Sequence, residues 1–137
     1  MKATSTLVVL TAGAALASCS VGAGYSGSTA QSQVQLAREL EGRIAGPPQR
    51  CLSGYRTTNM TVIDDSTLLY RDGRTTYLQR LRGSCYGIGS GATTLVTKQF
   101  GTNQYCDGDI ARSVDLRSGM TNGSCAFGPF IPYTKPR

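Results

Sequence analysis

The chain has 137 residues, enough for one small domain, and carries 14 Lys and Arg against 8 Asp and Glu, for a formal net charge of +6. It contains no His. That excludes Ser-His and Cys-His nucleophilic catalysis, removes the commonest general base and takes away one of zinc's two usual ligand types.

Lys2 precedes an apolar run, Leu7-Val8-Val9-Leu10 through Ala14-Ala15-Leu16, that Thr11 and Gly13 interrupt. A membrane span needs about 20 apolar residues, so residues 1–18 read as a signal peptide. The segment ends in Leu16-Ala17-Ser18-Cys19, which resembles the lipobox of bacterial lipoproteins. That resemblance covers residues 1–19 and implies cleavage before Cys19 and acylation of its thiol. The expected location is the cell envelope, lipid-anchored and facing the periplasm, with the membrane as partner through Cys19. Ser20 stands where an Asp retains enterobacterial lipoproteins in the inner membrane, which favours the outer membrane.

Residues 19–31 are small and uncharged between Ser20 and Gln31 and read as a flexible tether; residues 32–137 form the single domain. Ser32 caps a predicted helix running to about Glu41, with Val34, Ala37, Leu40 and Ile44 at helical spacing and Gly42 at its end. Gly46-Pro47-Pro48 stops it, and Cys51-Leu52-Ser53 is the first predicted strand. Met60–Ile63 pairs with the next strand through a turn at Asp64-Asp65. Asp72-Gly73 then reads as a two-residue type I′ hairpin turn. This register sets Arg71 opposite Arg74, Tyr70 opposite Thr75, Leu68 opposite Tyr77 and Asp64 opposite Leu81. One face, with Leu68, Tyr70, Tyr77 and Leu81, suits burial; the other carries Arg71, Arg74, Arg80 and Arg82 and suits solvent or a partner.

After the loop Gly87–Gly91, a strand is predicted at Ala92–Lys98; Gly101-Thr102-Asn103 turns the chain towards Tyr105-Cys106, and further strands are predicted around Ile110, Val114 and Leu116 and at Ser124–Phe127. Gly128-Pro129 and Pro132 then restrict the chain to an edge or a tail. The expected fold is mainly β: a small antiparallel meander, barrel-like or sandwich domain with a short N-terminal helix, stapled by disulfides.

Gly42-Arg43-Ile44-Ala45-Gly46-Pro47-Pro48, Cys51-Leu52, Val62-Ile63-Asp64-Asp65, Tyr77-Leu78-Gln79-Arg80-Leu81, Cys85, Tyr105-Cys106-Asp107-Gly108-Asp109 and Gly123-Ser124-Cys125-Ala126-Phe127-Gly128-Pro129-Phe130 resemble a proteobacterial family of small secreted or lipid-anchored proteins. That family is catalogued only as a domain of unknown function. The resemblance spans residues 42–133, with Gln79 where the pattern has Asn, and implies a shared fold and an envelope location but no activity.

With Cys19 acylated, Cys51, Cys85, Cys106 and Cys125 remain, an even number for an oxidising compartment. No Cys-x-x-Cys occurs, and no paired ligand spacing for zinc, so two structural disulfides are expected. Of three pairings, Cys51–Cys125 with Cys85–Cys106 ties the domain's ends and staples its middle. Asp64-Asp65, Asp107, Asp109 and Asp115 read first as turn formers; the alternative is an acid and base for glycoside hydrolysis. Asp107 and Asp109 lack the further ligands of a calcium loop. Gly87-x-Gly89-x-Gly91 precedes a strand, not a helix, and is no phosphate cradle. Arg71, Arg74, Arg80 and Arg82 form a candidate anion-binding face for an anionic envelope component or an envelope protein. No cofactor, no catalytic or metal site and no nucleic acid partner are expected. The functional expectation is a non-catalytic binding or structural role in the periplasm, with an envelope-hydrolase inhibitor or a carboxylate-dependent hydrolase as alternatives.

Overall fold

The computed structural model describes residues 29–99 and 101–137. The segment read as a signal peptide, its lipobox-like end and Cys19 lie outside the described residues. Thr29 opens the helix α1 (Ala30–Leu40): its Oγ1 accepts from the Ser32 amide while Ser32 Oγ accepts from the Thr29 amide. This reciprocal capping satisfies two orphan donors at once. Ser32 is thus the cap's partner, not the cap, and the helix takes in Ala30 and Gln31 from the segment read as tether.

Among the described residues nine strands follow: β1 (Ile44–Ala45), β2 (Cys51–Ser53), β3 (Met60–Asp64), β4 (Thr67–Asp72), β5 (Thr75–Ser84), β6 (Thr93–Thr97), β7 (Gln104–Cys106), β8 (Ile110–Asp115) and β9 (Thr121–Thr134). Short 3-10 turns at Gly54–Thr57 and Ile88–Ser90 sit between them. The main sheet is antiparallel in the order β3-β4-β5-β9-β8-β6, with β1 on one end of β9; β2 and β7 form a separate ribbon. Bulges in the β3–β4, β5–β9 and β8–β9 ladders accompany its curl into a half-barrel. The mainly β, disulfide-stapled fold expected from strand and turn signals is therefore what forms.

The hairpin differs in register. The pairs are Asp72–Thr75, Arg71–Thr76, Tyr70–Tyr77, Leu69–Leu78 and Leu68–Gln79, so the two loop residues are Gly73 and Arg74. Only Gly73 has positive φ (+54°), the type II′ pattern with Gly first, where the I′ reading needed it at Asp72 as well. Arg71 and Arg74 do not face each other.

β4 alternates between two cores. Leu68 and Tyr70 point into the half-barrel with Tyr77, Leu81, Phe127 and Phe130. Leu69 points outward with Leu78 and Ile63, and Leu36 and Leu40 of α1 cover them. The sheet is thus buried on both faces here, and the outer face expected to meet solvent is roofed by the helix. The helix presents Leu36 and Leu40, while Val34 and Ile44 of the predicted stripe are exposed. Both spacings are helical; the leucines fill more space over Leu69 and Leu78.

β9 is no edge or tail. Residues Gly128 and Pro129 bulge opposite Arg80, where a Cβ on residue 128 would overlap the Arg80 carbonyl oxygen. Pro129 is admitted by that bulge. The Pro132 carbonyl accepts from the Gly46 amide at 2.7 Å. Both main-chain groups of a strand residue point the same way, so the missing Pro132 N–H faces the sparse β1 side and costs no bond to β5.

All four described cysteines are bridged, but as Cys51–Cys106 (Cα–Cα 4.0 Å) and Cys85–Cys125 (Cα–Cα 5.3 Å). The expected pairing is corrected by topology. Cys51 and Cys106 are directly opposite in the β2–β7 ribbon, while Cys85, the residue after β5, is bridged to Cys125 of the neighbouring β9.

Candidate functional site

Strands β3 and β6 end the main sheet, and each pairs on one side only. The half-barrel therefore has a gap between them. At one end the turn Ile88–Ser90 packs against both strands and plugs it with buried Ile88. At the other end a cleft of about 230 Å³ opens. Met60 lines it from β3, Leu95 and Thr97 from β6, Tyr70 and Phe127 from the floor, and Tyr105 with Thr57 and Thr58 from above.

Local chemistry positions each wall. The turn Gly54–Thr57 docks on the Asn103 segment: the Gly54 amide donates to the Asn103 carbonyl at 2.9 Å, and a side chain on Gly54 would overlap Asn103 Oδ1. Arg56 then clamps the turn to the hairpin, donating to Tyr77 Oη at 2.9 Å and pairing with Asp72 at 3.4 Å. Thr57 and Thr58 donate their hydroxyls to the Gly54 and Tyr55 carbonyls, which leaves their oxygens as acceptors towards the cleft. Tyr105 meets Phe127 edge-on with ring centroids 5.9 Å apart.

Tyr70 is the floor's polar group. Its hydroxyl donates to Gln79 Oε1 at 2.7 Å, and Gln79 Nε2 donates to the Gly128 carbonyl freed at the bulge, at 3.3 Å. Burial, with a smaller contribution from Tyr105, raises the Tyr70 pKa well above the ordinary tyrosine value. The phenol stays neutral and serves as a fixed donor. The cleft can therefore take up a small apolar group and offers few hydrogen bonds to it.

The arginines expected on one open face are engaged locally. Arg71 pairs with Glu39 of α1. Arg74 donates to the Lys135 and Pro136 carbonyls at 3.1 and 2.9 Å. Arg80 donates to Thr67 Oγ1 at 2.9 Å. Arg82 lies 2.7 Å from Asp107 Oδ1 as an ion pair, off the axis of a hydrogen bond. Arg71, Arg80 and Arg82 share the outer face, and Arg74 sits in the hairpin loop.

The carboxylates act within turns. Asp64 accepts from the Ser66 amide and hydroxyl, and Asp109 from the Cys106 amide. Asp115 accepts from the Arg117 and Ser118 amides and the Ser118 hydroxyl; the Ser118 bonds chiefly hold its pKa below the usual carboxylate range. Asp65 reaches into the glycine loop, accepting from the Gly87 amide at 3.0 Å and the Gly89 amide at 3.2 Å. That loop does cradle an anion, and the anion is the chain's own side chain. Among the described residues no group of three or more His, Cys, Asp or Glu is placed to hold a metal ion.

Sequence reasoning missed the cleft. Its walls come from β3, β4, β6, β7, β9 and a 3-10 turn, and nothing local in Met60 or Leu95 marks them as neighbours across a gap. Comparison with family models, curated proteins and solved structures finds no match to the chain.

Proposed function

We propose that this protein is a lipid-anchored domain of the bacterial cell envelope that faces the periplasm and binds a partner without catalysis. The observation that carries the binding role is the cleft between the unpaired edges of β3 and β6, walled by Met60, Leu95, Tyr105 and Phe127. Two disulfides suit an oxidising compartment. A carboxylate hydrolase would need an acid and a base facing across a cleft, and no carboxylate lines this one. The leader ending in Leu16-Ala17-Ser18-Cys19 supports the anchor.

The test uses the full chain expressed in a Gram-negative host. The protein purified from membranes carries the mass of an acylated chain beginning at Cys19, and Cys19→Ala leaves the membrane fraction. The cleft takes up the fluorescent apolar probe anilinonaphthalene sulfonate, and Leu95→Asp abolishes that signal with the fold retained. A soluble, unmodified mature chain overturns the anchoring; absence of saturable probe binding overturns the cleft.

A further inference from the structure

The main-chain groups along the gap say more about what the cleft is built to receive. The Ala92 carbonyl accepts from the Leu116 amide at 2.9 Å, which directs residue 92 towards β8. Alternation along β6 then turns Thr94 and Val96 towards β8 and leaves the N–H and C=O of Thr93, Leu95 and Thr97 pointing into the gap. On the far side the Asn59 carbonyl accepts from the Arg71 amide at 3.0 Å, so Met60 and Val62 also direct their main-chain groups into the gap. Among the described residues none of these five has a main-chain partner there. The plug at Ile88–Ser90 covers the Thr93 and Val62 end: Gly87 lies beside Thr93 and Gly89 beside Val62. What stays open is the stretch of β6 from Leu95 to Thr97, with Met60 across from it, directly over the apolar cleft.

Unpaired strand edges discriminate between ligands. A lipid chain or a small apolar molecule fills the cleft and leaves these donors and acceptors unmet. An extended polypeptide satisfies them in a ladder and places every second side chain inward. β6 also lacks the devices that guard exposed edges: Thr93-Thr94-Leu95-Val96-Thr97 has no proline, no charge and no bulge.

Resting on the binding role argued above, we propose that the partner is an extended segment of another protein that adds to β6 along Leu95–Thr97. It seats one aliphatic or aromatic side chain in the cleft. The segment continues the half-barrel across its gap. A volume of about 230 Å³ admits one such side chain, not a folded domain.

The experiment uses the full chain, purified from membranes in detergent, and a phage-displayed library of random decapeptides. Enriched peptides share one large apolar residue, and they displace anilinonaphthalene sulfonate. Their binding slows hydrogen exchange at the Leu95 and Thr97 amides. N-methylation of the peptide, one amide at a time, weakens binding about tenfold at every second position, as removal of single strand hydrogen bonds requires. This scan leaves the protein untouched, so misfolding cannot imitate it. Thr97→Pro, which deletes a gap-facing donor, gives the same loss while probe uptake persists. Probe uptake without peptide enrichment, or peptides insensitive to N-methylation, overturns the strand proposal and leaves the binding role standing. Concentration-dependent dimerisation that protects the same amides without peptide also overturns it, in favour of a second copy's β6. Absence of both probe uptake and peptide binding overturns both.

Discussion

Thr76 is 1 % exposed, and its hydroxyl has no hydrogen-bond partner among the described residues. It sits in β5 opposite Arg71 and Tyr133. Valine has nearly the same shape and no polar atom to desolvate, so Thr76→Val raises stability by about 1 kcal/mol in urea unfolding. Loss of stability would mean the hydroxyl is bonded after all. Tyr70 makes the opposite case, a buried hydroxyl fully engaged. Its pKa is raised in the folded state, so the folded protein holds that proton where the unfolded chain releases it. The associated stability is complete below the ordinary tyrosine value of 10.0 and is lost as pH climbs from there towards the raised folded value. Tyr70→Phe lowers stability at neutral pH, since Gln79 loses its donor, yet flattens the alkaline decline by up to about 1.4 kcal/mol per pH unit. Urea melts of both proteins at stepped alkaline pH separate the two effects.

Among elements, existence and the hairpin's buried face of Leu68, Tyr70, Tyr77 and Leu81 were legible, and register was not. The β-prone runs around Asp72-Gly73 announce a hairpin, but the turn can centre on residues 72–73 or 73–74, and a shift of one exchanges cross-strand partners. The structure selects Gly73-Arg74, which matches Tyr70 to Tyr77 and Leu69 to Leu78, so both faces acquire continuous apolar stripes. That preference depends on α1 and β9 lying on those faces, which is tertiary information. The helix is the same lesson: Val34 and Leu36 are equally periodic, and only the presence of Leu69 and Leu78 beneath distinguishes them. Cysteine number was likewise readable from parity, whereas pairing required knowing that β2 binds β7.

The bridges differ in access. Cys85 and Cys125 are 0 % and 4 % exposed, while Cys51 is exposed and Cys106 half-buried. Graded dithiothreitol followed by alkylation labels Cys51 and Cys106 first, since exchange needs access to sulfur. Labelling of Cys85 first would refute the burial described. The Asp65 clasp is testable at the same scale. Asp65→Ala removes two accepted bonds from the glycine loop, costs about 1–2 kcal/mol, and speeds hydrogen exchange at Gly87 and Gly89 before the rest of the sheet.

The described residues form a curled main sheet with two cores, the β2–β7 ribbon beside it. Its inner core lies beneath β4, β5, β8 and β9; its outer core exists only where α1 covers the sheet. The cleft is a by-product of that asymmetry in the topology: six strands curl, and the two that end the series never meet. The strand that binds the fold is β9, which touches β1, β5 and β8 along its fourteen residues. It is also the last element in chain order. A ribosome or a membrane channel that delivers this polypeptide from its N-terminus releases β3, β4 and β5 as a meander with one bare flank, and β6 and β8 as a second piece with no neighbour to join. Neither piece can be completed until residues 121–134 have emerged. Vectorial delivery thus keeps the two pieces of the native sheet unjoined until the last strand arrives. For a chain proposed to reach the periplasm, late placement of the central strand delays closure of the sheet until residues 121–134 arrive.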